Sequence, residues 1–227
     1  MKNKKIKKND KKKIFQKIKI EKAISILKKK SKKKFIESFD VVIMLGINAK
    51  QTDQNIRGST VLPHGTGKKM IVAVFANGKK AEEAKKAGAE FIGMDDLSKK
   101  IKKNTIKFHV VVATPESMKQ VSLLGSILGP KGLMPNHKMG TITSEIYETV
   151  KKIKNGQIRY KNEKNGIIHS SIGKINFSIK QIKENLISLI KELKKQKPHK
   201  MKGKYFKKIF LTTTMSQAIE IKKSSLK

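Results

Sequence analysis

Residues 62–76 read LPHGTGKKMIVAVFA, and the change of pattern inside them decides the fold. The first half is a loop of turn formers: Pro63 ends the preceding apolar run, and Gly65 and Gly67 free the backbone on either side of Thr66. The second half, MIVAVFA, is a short apolar run suited to a central parallel strand, buried on both faces. Glycines followed by lysines also invite comparison with a phosphate cradle. A P-loop, however, needs Gly, four residues, Gly, Lys and then Ser or Thr, whereas Gly65 and Gly67 are two apart and Lys69 follows Lys68. No dinucleotide fingerprint follows the apolar run either. The stretch therefore shows no nucleotide-binding motif, and whether it joins two parts of the chain turns on what lies to either side.

Downstream, strands and helices alternate. GKKAEEAKKAG has helix formers closed by Gly88, EFIGM is a short strand, DDLSKKIKKN a helix, and FHVVVATP, residues 108–115, a strand. Thr114 and Pro115 suit the cap and first turn of a helix over 116–128, and SEIYETVKKIKN, residues 144–155, is a closing helix. This alternation predicts a three-layer α/β unit with a mostly parallel sheet. Outside it the style differs. Upstream lie a short helix in EKAISILKK and the strands SFDVVIMLGI, residues 38–47, and IRGSTVLP, residues 56–63. From Gly156 paired strands return, QIRY and GIIHSSIGK, then the helix SIKQIKENLISLIKEL, whose Ser178 and Gln181 match a capping box. A last strand, YFKKIFLTTT, precedes a polar tail. The outer segments resemble each other and not the middle, which predicts a domain formed by residues 1–67 and 157–227 interrupted by an inserted α/β domain at 68–156.

The 227 residues carry a formal net charge of +37, with 54 Lys or Arg against 17 Asp or Glu, so a polyanion is the natural partner. All but two of those cations are lysines, beside many Ile and Asn, as an AT-rich genome would write at tolerant surface positions. The charge alone is thus moderate support for RNA binding. With no cysteine, disulfides, thiolate nucleophiles and Cys-based zinc sites are excluded, and a reducing cytoplasm fits. The lysine-rich start, whose first dozen residues read as mobile, has no apolar stretch behind it, so neither export nor membrane insertion is expected.

His64, His109, His137, His169 and His199 share no metal-ligand spacing, and no Ser, His and acid set announces itself. No metal, cofactor or catalytic residue is expected. Residues 125–140, GSILGPKGLMPNHKMG, read equally as a structured surface loop or as a backbone-rich phosphate contact with Lys131 and Lys138. In the last strand, alternation sets Lys208, Phe210, Thr212 and Thr214 on one face and Ile209, Leu211 and Thr213 on the other. The first set offers an aromatic, a cation and hydroxyls, the makings of an RNA platform, unless a helix covers Phe210. Phe35, after three lysines, offers a similar mixture or a core aromatic.

TDQNIRG at 52–58, with LPHGTGK, LGPKGLMPN, NGIIHSSIGK and TTTM in the same order, resembles the bacterial ribosomal protein L-one family from about Phe35 to Met215. The resemblance implies an α/β fold of two domains: a discontinuous α+β RNA-binding domain from both chain ends and an inserted Rossmann-like three-layer α/β domain. It makes the loop at 62–69 one inter-domain crossing, with a second near Gly156 to Tyr160, and assigns hinge roles to Gly65, Gly67, Gly156 and Arg159. It implies a non-enzymatic structural protein of the large ribosomal subunit, cytoplasmic, ribosome-bound and a monomer when free. Its partners would be the stalk region of large-subunit rRNA, exit-site tRNA and its own messenger RNA, whose translation it would repress. The matching RNA-binding positions are Lys34, Phe35, Ser38, His169, Thr212, Thr214, Met215 and Ser216. Ser216 stands where the family usually has glycine, which raises the question of a positive φ or a close RNA approach there, and His137 replaces a usual proline in a tolerant loop.

Overall fold

The apolar run in SFDVVIML, expected as a buried strand, is buried on one face only, and the rest of the outer unit is built on that face. The structure is a computed structural model that describes residues 17–31, 34–49, 51–198, 201 and 203–226. The lysine-rich start and His199 lie outside them. Strand β1 (Ser38–Leu45) buries Phe39, Val41, Ile43 and Leu45, and it is the centre of an antiparallel sheet in the order β7-β1-β8-β9. The others are β7 (Ile167–Lys174), β8 (Phe206–Thr213) and β9 (Ile219–Glu220). Their inward residues, Ile168, Ile172, Ile209 and Leu211, continue the apolar face.

Two amphipathic helices complete this core. In α1 (Ile20–Lys30) Ile20, Ala23, Ile24 and Leu27 recur at helical spacing and are fully buried. In α7 (Ile179–Lys195) the buried stripe is Ile182, Leu186, Leu189, Ile190 and Leu193, and burial of each such side chain stabilises by about 1.5–3 kcal/mol. The capping box expected at its start is present: the Ser178 hydroxyl accepts from the Gln181 N–H at 3.2 Å and the Gln181 carboxamide oxygen from the Ser178 N–H at 2.8 Å. Asn185, also fully buried, donates its amide to the Ile172 carbonyl at 2.8 Å and fixes α7 on β7. The segment expected as a polar tail instead contributes β9, paired with β8, and Ile221 bridges to Ile18. Two residues are too few to show a period, so the strand was invisible in the sequence.

The inserted segment has a parallel sheet in the order β4-β3-β5, made by β3 (Val72–Phe75), β4 (Phe91–Gly93) and β5 (Val110–Ala113). Both central runs are buried on both faces, as their continuous apolarity predicts. Val72, Val74, Val110 and Val112 face α2 (Lys79–Lys86) and α6 (Ile146–Lys154) through Ala84, Ile146, Val150 and Ile153. Ala73, Phe75, Val111 and Ala113 face the other way, onto Leu97 and Ile101 of α3 (Asp95–Lys102) and onto Val121, Leu124 and Leu128. The single helix expected over 116–128 is two short ones, α4 (Met118–Ser122) and α5 (Gly125–Leu128). Its start is delayed because the Ser117 hydroxyl donates to the Phe75 carbonyl at 2.9 Å and the Thr114 N–H to the same carbonyl at 3.2 Å, so 114–117 is a turn tied to β3; the break comes at Leu123 and Leu124, whose N–H groups bond to Gln120 and Val121 three residues back. Gly125 then weakens helix continuity.

The remaining strands, β2 (Arg57–Val61) and β6 (Gln157–Lys161), pair with each other in a two-stranded sheet. The chain divides into two compact units, one gathering the described residues through Ile56 and from Tyr160 onward, the other spanning Arg57–Arg159. The exchange points expected from composition, after Gly67 and after Gly156, fall inside the second unit. The expected second crossing, Gly156 to Tyr160, contains the change of unit at Arg159 and Tyr160.

Candidate nucleic-acid interface

In the first unit the strand register brings distant residues into rows on the face opposite the helices. Val42 pairs with His169 on one side and Phe210 on the other; Asp40 pairs with Ser171 and Thr212; Met44 pairs with Ile167 and Lys208. Phe210, Thr212 and Val42 are half-buried there and His169 is exposed, with its Nε2 3.6 Å from the Glu163 carboxylate. Phe210 is thus on the open side of the sheet. Thr214, expected to extend the same face, lies beyond the end of β8 in a turn with Met215. Alternation ends where the strand does, so it could not place Thr214.

At one end of this face two loops meet. Lys34 and Phe35 form an exposed bend before β1, with Phe35 52% and Ile36 55% exposed, and Met215 in the facing turn is 60% exposed. Other apolar side chains, Leu123 at 73% among them, are also exposed, but here three stand at one edge of the sheet. Hydrogen bonds join the loops: the Ser38 N–H donates to the Thr214 hydroxyl at 3.1 Å, and the Met215 N–H donates to Glu37 Oε2 at 3.2 Å. Lys174 Nζ donates to the Ser38 hydroxyl at 3.0 Å. The Ser216 hydroxyl accepts from the Thr213 N–H at 2.9 Å, and the Thr212 hydroxyl donates to the Ser216 carbonyl at 3.1 Å. A cleft of about 360 Å³ lined by Lys30, Glu37, Met215, Ser216 and Gln217 opens beside them.

Of the eight RNA-binding positions carried by resemblance, the structure bonds Ser38 to Thr214 and Thr212 to Ser216, with Met215 between Thr214 and Ser216 in the same turn and bonded to Glu37. Lys34 and Phe35 lead directly into it, and His169 stands across β1 on the same open face as Thr212. The positive φ in question at Ser216 does not occur: among the described residues Asn104 is the only non-glycine with one. Sequence reasoning missed Glu37, whose side chain is 1% exposed, and Asp40 on the open face. No local signal singled them out: with Val41 to Leu45 all apolar, the sequence does not show which set of alternate residues faces inward, and the structure places Glu37 on the side of Phe39, Val41 and Ile43 and Asp40 on the side of Val42.

The four expected hinge residues all lie in the second unit. Gly65 and Gly156 touch backbone to backbone: a Cβ on Gly156 would fall 2.2 Å from the Gly65 Cα, and the Leu62 N–H donates to the Gly156 carbonyl at 3.4 Å. Gly67 follows with φ +68°, in an open cleft of about 580 Å³ lined by residues 61–68 and 154–156. Arg159 is apart from that contact, donating to the His109 carbonyl at 3.0 Å, with burial and the neighbouring Arg57 guanidinium holding its pKa below the usual value. The loop at 125–140 is folded on itself: Asn136 caps Lys138, Gly140 closes the turn in the left-handed region, and Lys131 bonds to Asn104.

Among the described residues no group of three or more His, Asp or Glu is placed to hold a metal ion, and no helix is long and apolar enough to cross a membrane. A basic α/β protein in two units, with an exposed apolar and cationic edge closed by hydroxyls, defines the class: one built to meet a polyanion over a surface. More particularly, the chain belongs to the ribosomal protein L1p/L10e family, whose model matches residues 27–217. It is 53% identical over 207 residues to "Large ribosomal subunit protein uL1" of Vibrio vulnificus (strain YJ016), covering 91% of this chain and 89% of that protein. It is also 53% identical over 213 residues to the protein of the same name from Proteus mirabilis (strain HI4320), covering 94% and 91%.

Proposed function

We propose that this protein is a non-enzymatic structural constituent of the large ribosomal subunit that binds the stalk region of its rRNA through the edge formed by Lys34, Phe35, Ser38, Thr212, Thr214, Met215 and Ser216, with His169 on the adjoining face. The observation that carries the reading is the convergence of residues 170 or more positions apart in sequence, Ser38 with Thr214 and Glu37 with Met215, on one exposed edge. Family membership and relatives named for the large subunit supply the biological setting. Lysines provide salt-dependent phosphate affinity, and the bare Phe35 and Met215 pack on the shaped RNA and select it. In the same reading the stalk assists release of deacylated tRNA from the exit site, the free monomer represses its own messenger through an RNA of similar shape, and Gly65, Gly67, Gly156 and Arg159 serve a hinge. It works in the cytoplasm, on the ribosome.

The test is affinity for the organism's own stalk rRNA fragment against a scrambled stem of equal length, across a salt series. The expected result is a preference for the stalk RNA that persists while both affinities fall with salt. Equal affinities at every salt would reduce the protein to a nonspecific polycation and refute the site.

A further inference from the structure

A carboxylate buried in a chain of net charge +37 that binds RNA calls for an account, because it can only oppose phosphate. Glu37 is 1% exposed, next to Phe35 and Ile36, which are both more than half exposed. Its Oε1 accepts from the Ser31 hydroxyl at 2.6 Å and its Oε2 from the Met215 N–H at 3.2 Å. Its own carbonyl accepts from the Ile175 N–H at 3.0 Å. One side chain thereby holds the end of α1, where Ser31 is the C-cap, to the turn after β8, and its backbone holds the residue following β7.

We propose that Glu37 is a positioning residue for RNA recognition: a buried clamp that fixes the Phe35 bend and the Met215 turn beside each other before RNA arrives. The inference rests on the RNA-binding reading above. Phe35 and Met215 sit on loops with little apolar packing of their own, so without a clamp each would sample many orientations and pay that ordering cost on binding. The second staple, Ser38 to Thr214, lies one residue away on each loop and sets the same register. Because a carboxylate presents two acceptors in a fixed plane, one residue can hold both loops, and burial keeps its charge from the approaching phosphates. Glutamine meets the same demands without charge: its oxygen accepts from Met215 and its amide donates to the Ser31 hydroxyl. Alanine meets neither.

The experiment compares wild type, Glu37→Ala, Glu37→Gln and Ser31→Ala in the full chain. It measures affinity for the stalk fragment and the scrambled stem, hydrogen exchange at the Met215 amide in the free protein, and the salt slope. For Glu37→Ala the expected result is a loss of about tenfold in stalk-RNA affinity with the scrambled-stem affinity and salt slope unchanged, and a faster-exchanging Met215 amide. Glu37→Gln should restore both readouts to near wild type, which a general loss of stability would not. Ser31→Ala, cutting one arm, should fall between. Unchanged stalk affinity and unchanged exchange in Glu37→Ala overturn the proposal. If that variant does not fold, Ser31→Ala with wild-type exchange and affinity overturns it instead. Should wild type itself show no preference for the stalk RNA, the functional reading fails, and the exchange data alone decide whether the clamp exists.

Discussion

Replacing Gly156 by alanine tests the physical account of the crossing between β2 and β6. The added Cβ would lie 2.2 Å from the Gly65 Cα, 3.0 Å from its carbonyl carbon and 3.1 Å from the Thr66 nitrogen, all backbone atoms that cannot rotate away. Carbon atoms pack at about 3.5–4.0 Å, so the two loops must part by more than about 1 Å. Gly156 also has φ +92°, outside even the small left-handed region open to alanine, which adds about 1–2 kcal/mol. Overpacking against rigid backbone costs about 1–3 kcal/mol, so the expected loss is about 3 kcal/mol or more. Gly140→Ala is the matched control: φ +67° and ψ +22°, with nothing within 4 Å of its Cβ, it should lose only the backbone cost of about 1 kcal/mol. Gly65→Ala belongs with the control, since its Cβ meets nothing nearer than 3.5 Å. The assay is native-state hydrogen exchange at the amides of Val72–Phe75 and Val110–Ala113, which reports on this unit without assuming that the whole chain unfolds in one step. Gly156→Ala should lower protection there on the order of a hundredfold, and Gly140→Ala only a few-fold. Equal effects from the two substitutions would refute the steric reasoning.

Other consequences can be read from the same structure. Phe35→Ala and Met215→Ala remove exposed side chains, so stability should change by less than about 0.5 kcal/mol, while stalk-RNA affinity drops by about 1–3 kcal/mol each, measurable by titration beside a melting curve. Ser216→Gly removes the hydroxyl that receives the Thr213 N–H and should destabilise by about 1 kcal/mol with no gain in RNA affinity; a tenfold gain would mean that the hydroxyl obstructs the RNA. Burial pushes the Tyr160 phenol up to about 12, with the nearby Glu192 carboxylate adding to the rise, and burial likewise raises Tyr205, whose hydroxyl donates to the Leu193 carbonyl at 2.9 Å. Because the unfolded phenols ionise near pH 10, the stability these two contribute is intact below about pH 10 and lost as pH climbs through the folded values. A spectrophotometric titration should therefore show Tyr160 and Tyr205 ionising late, and ionisation of either near pH 10 in the folded protein would contradict its burial.

Much of this protein was legible in its sequence because local pattern and tertiary environment agree there. The run VAVF is apolar on both faces since both faces are covered, and Ser178 with Gln181 closes a capping box from four consecutive residues; SFDVVIML, by contrast, is apolar without a break from Val41 to Leu45 and reads as a buried strand, yet only one of its faces is covered. Elements that take their form from remote partners were not legible. The helix expected from residue 116 starts only at Met118 because Phe75, far away in sequence, supplies the acceptor that Ser117 and Thr114 use. The strand β9 exists because β8 offers an open edge, and β2 and β6 choose each other across about a hundred residues. The proposed interface divides the same way: the resemblance nominates its members one by one, but whether Ser38 lies beside Thr214, or Glu37 reaches Met215, depends on a register between β1 and β8 that no local pattern encodes. Local energies act over a few residues and are written in them; pairing across more than 170 residues is decided only when the sheet closes its core.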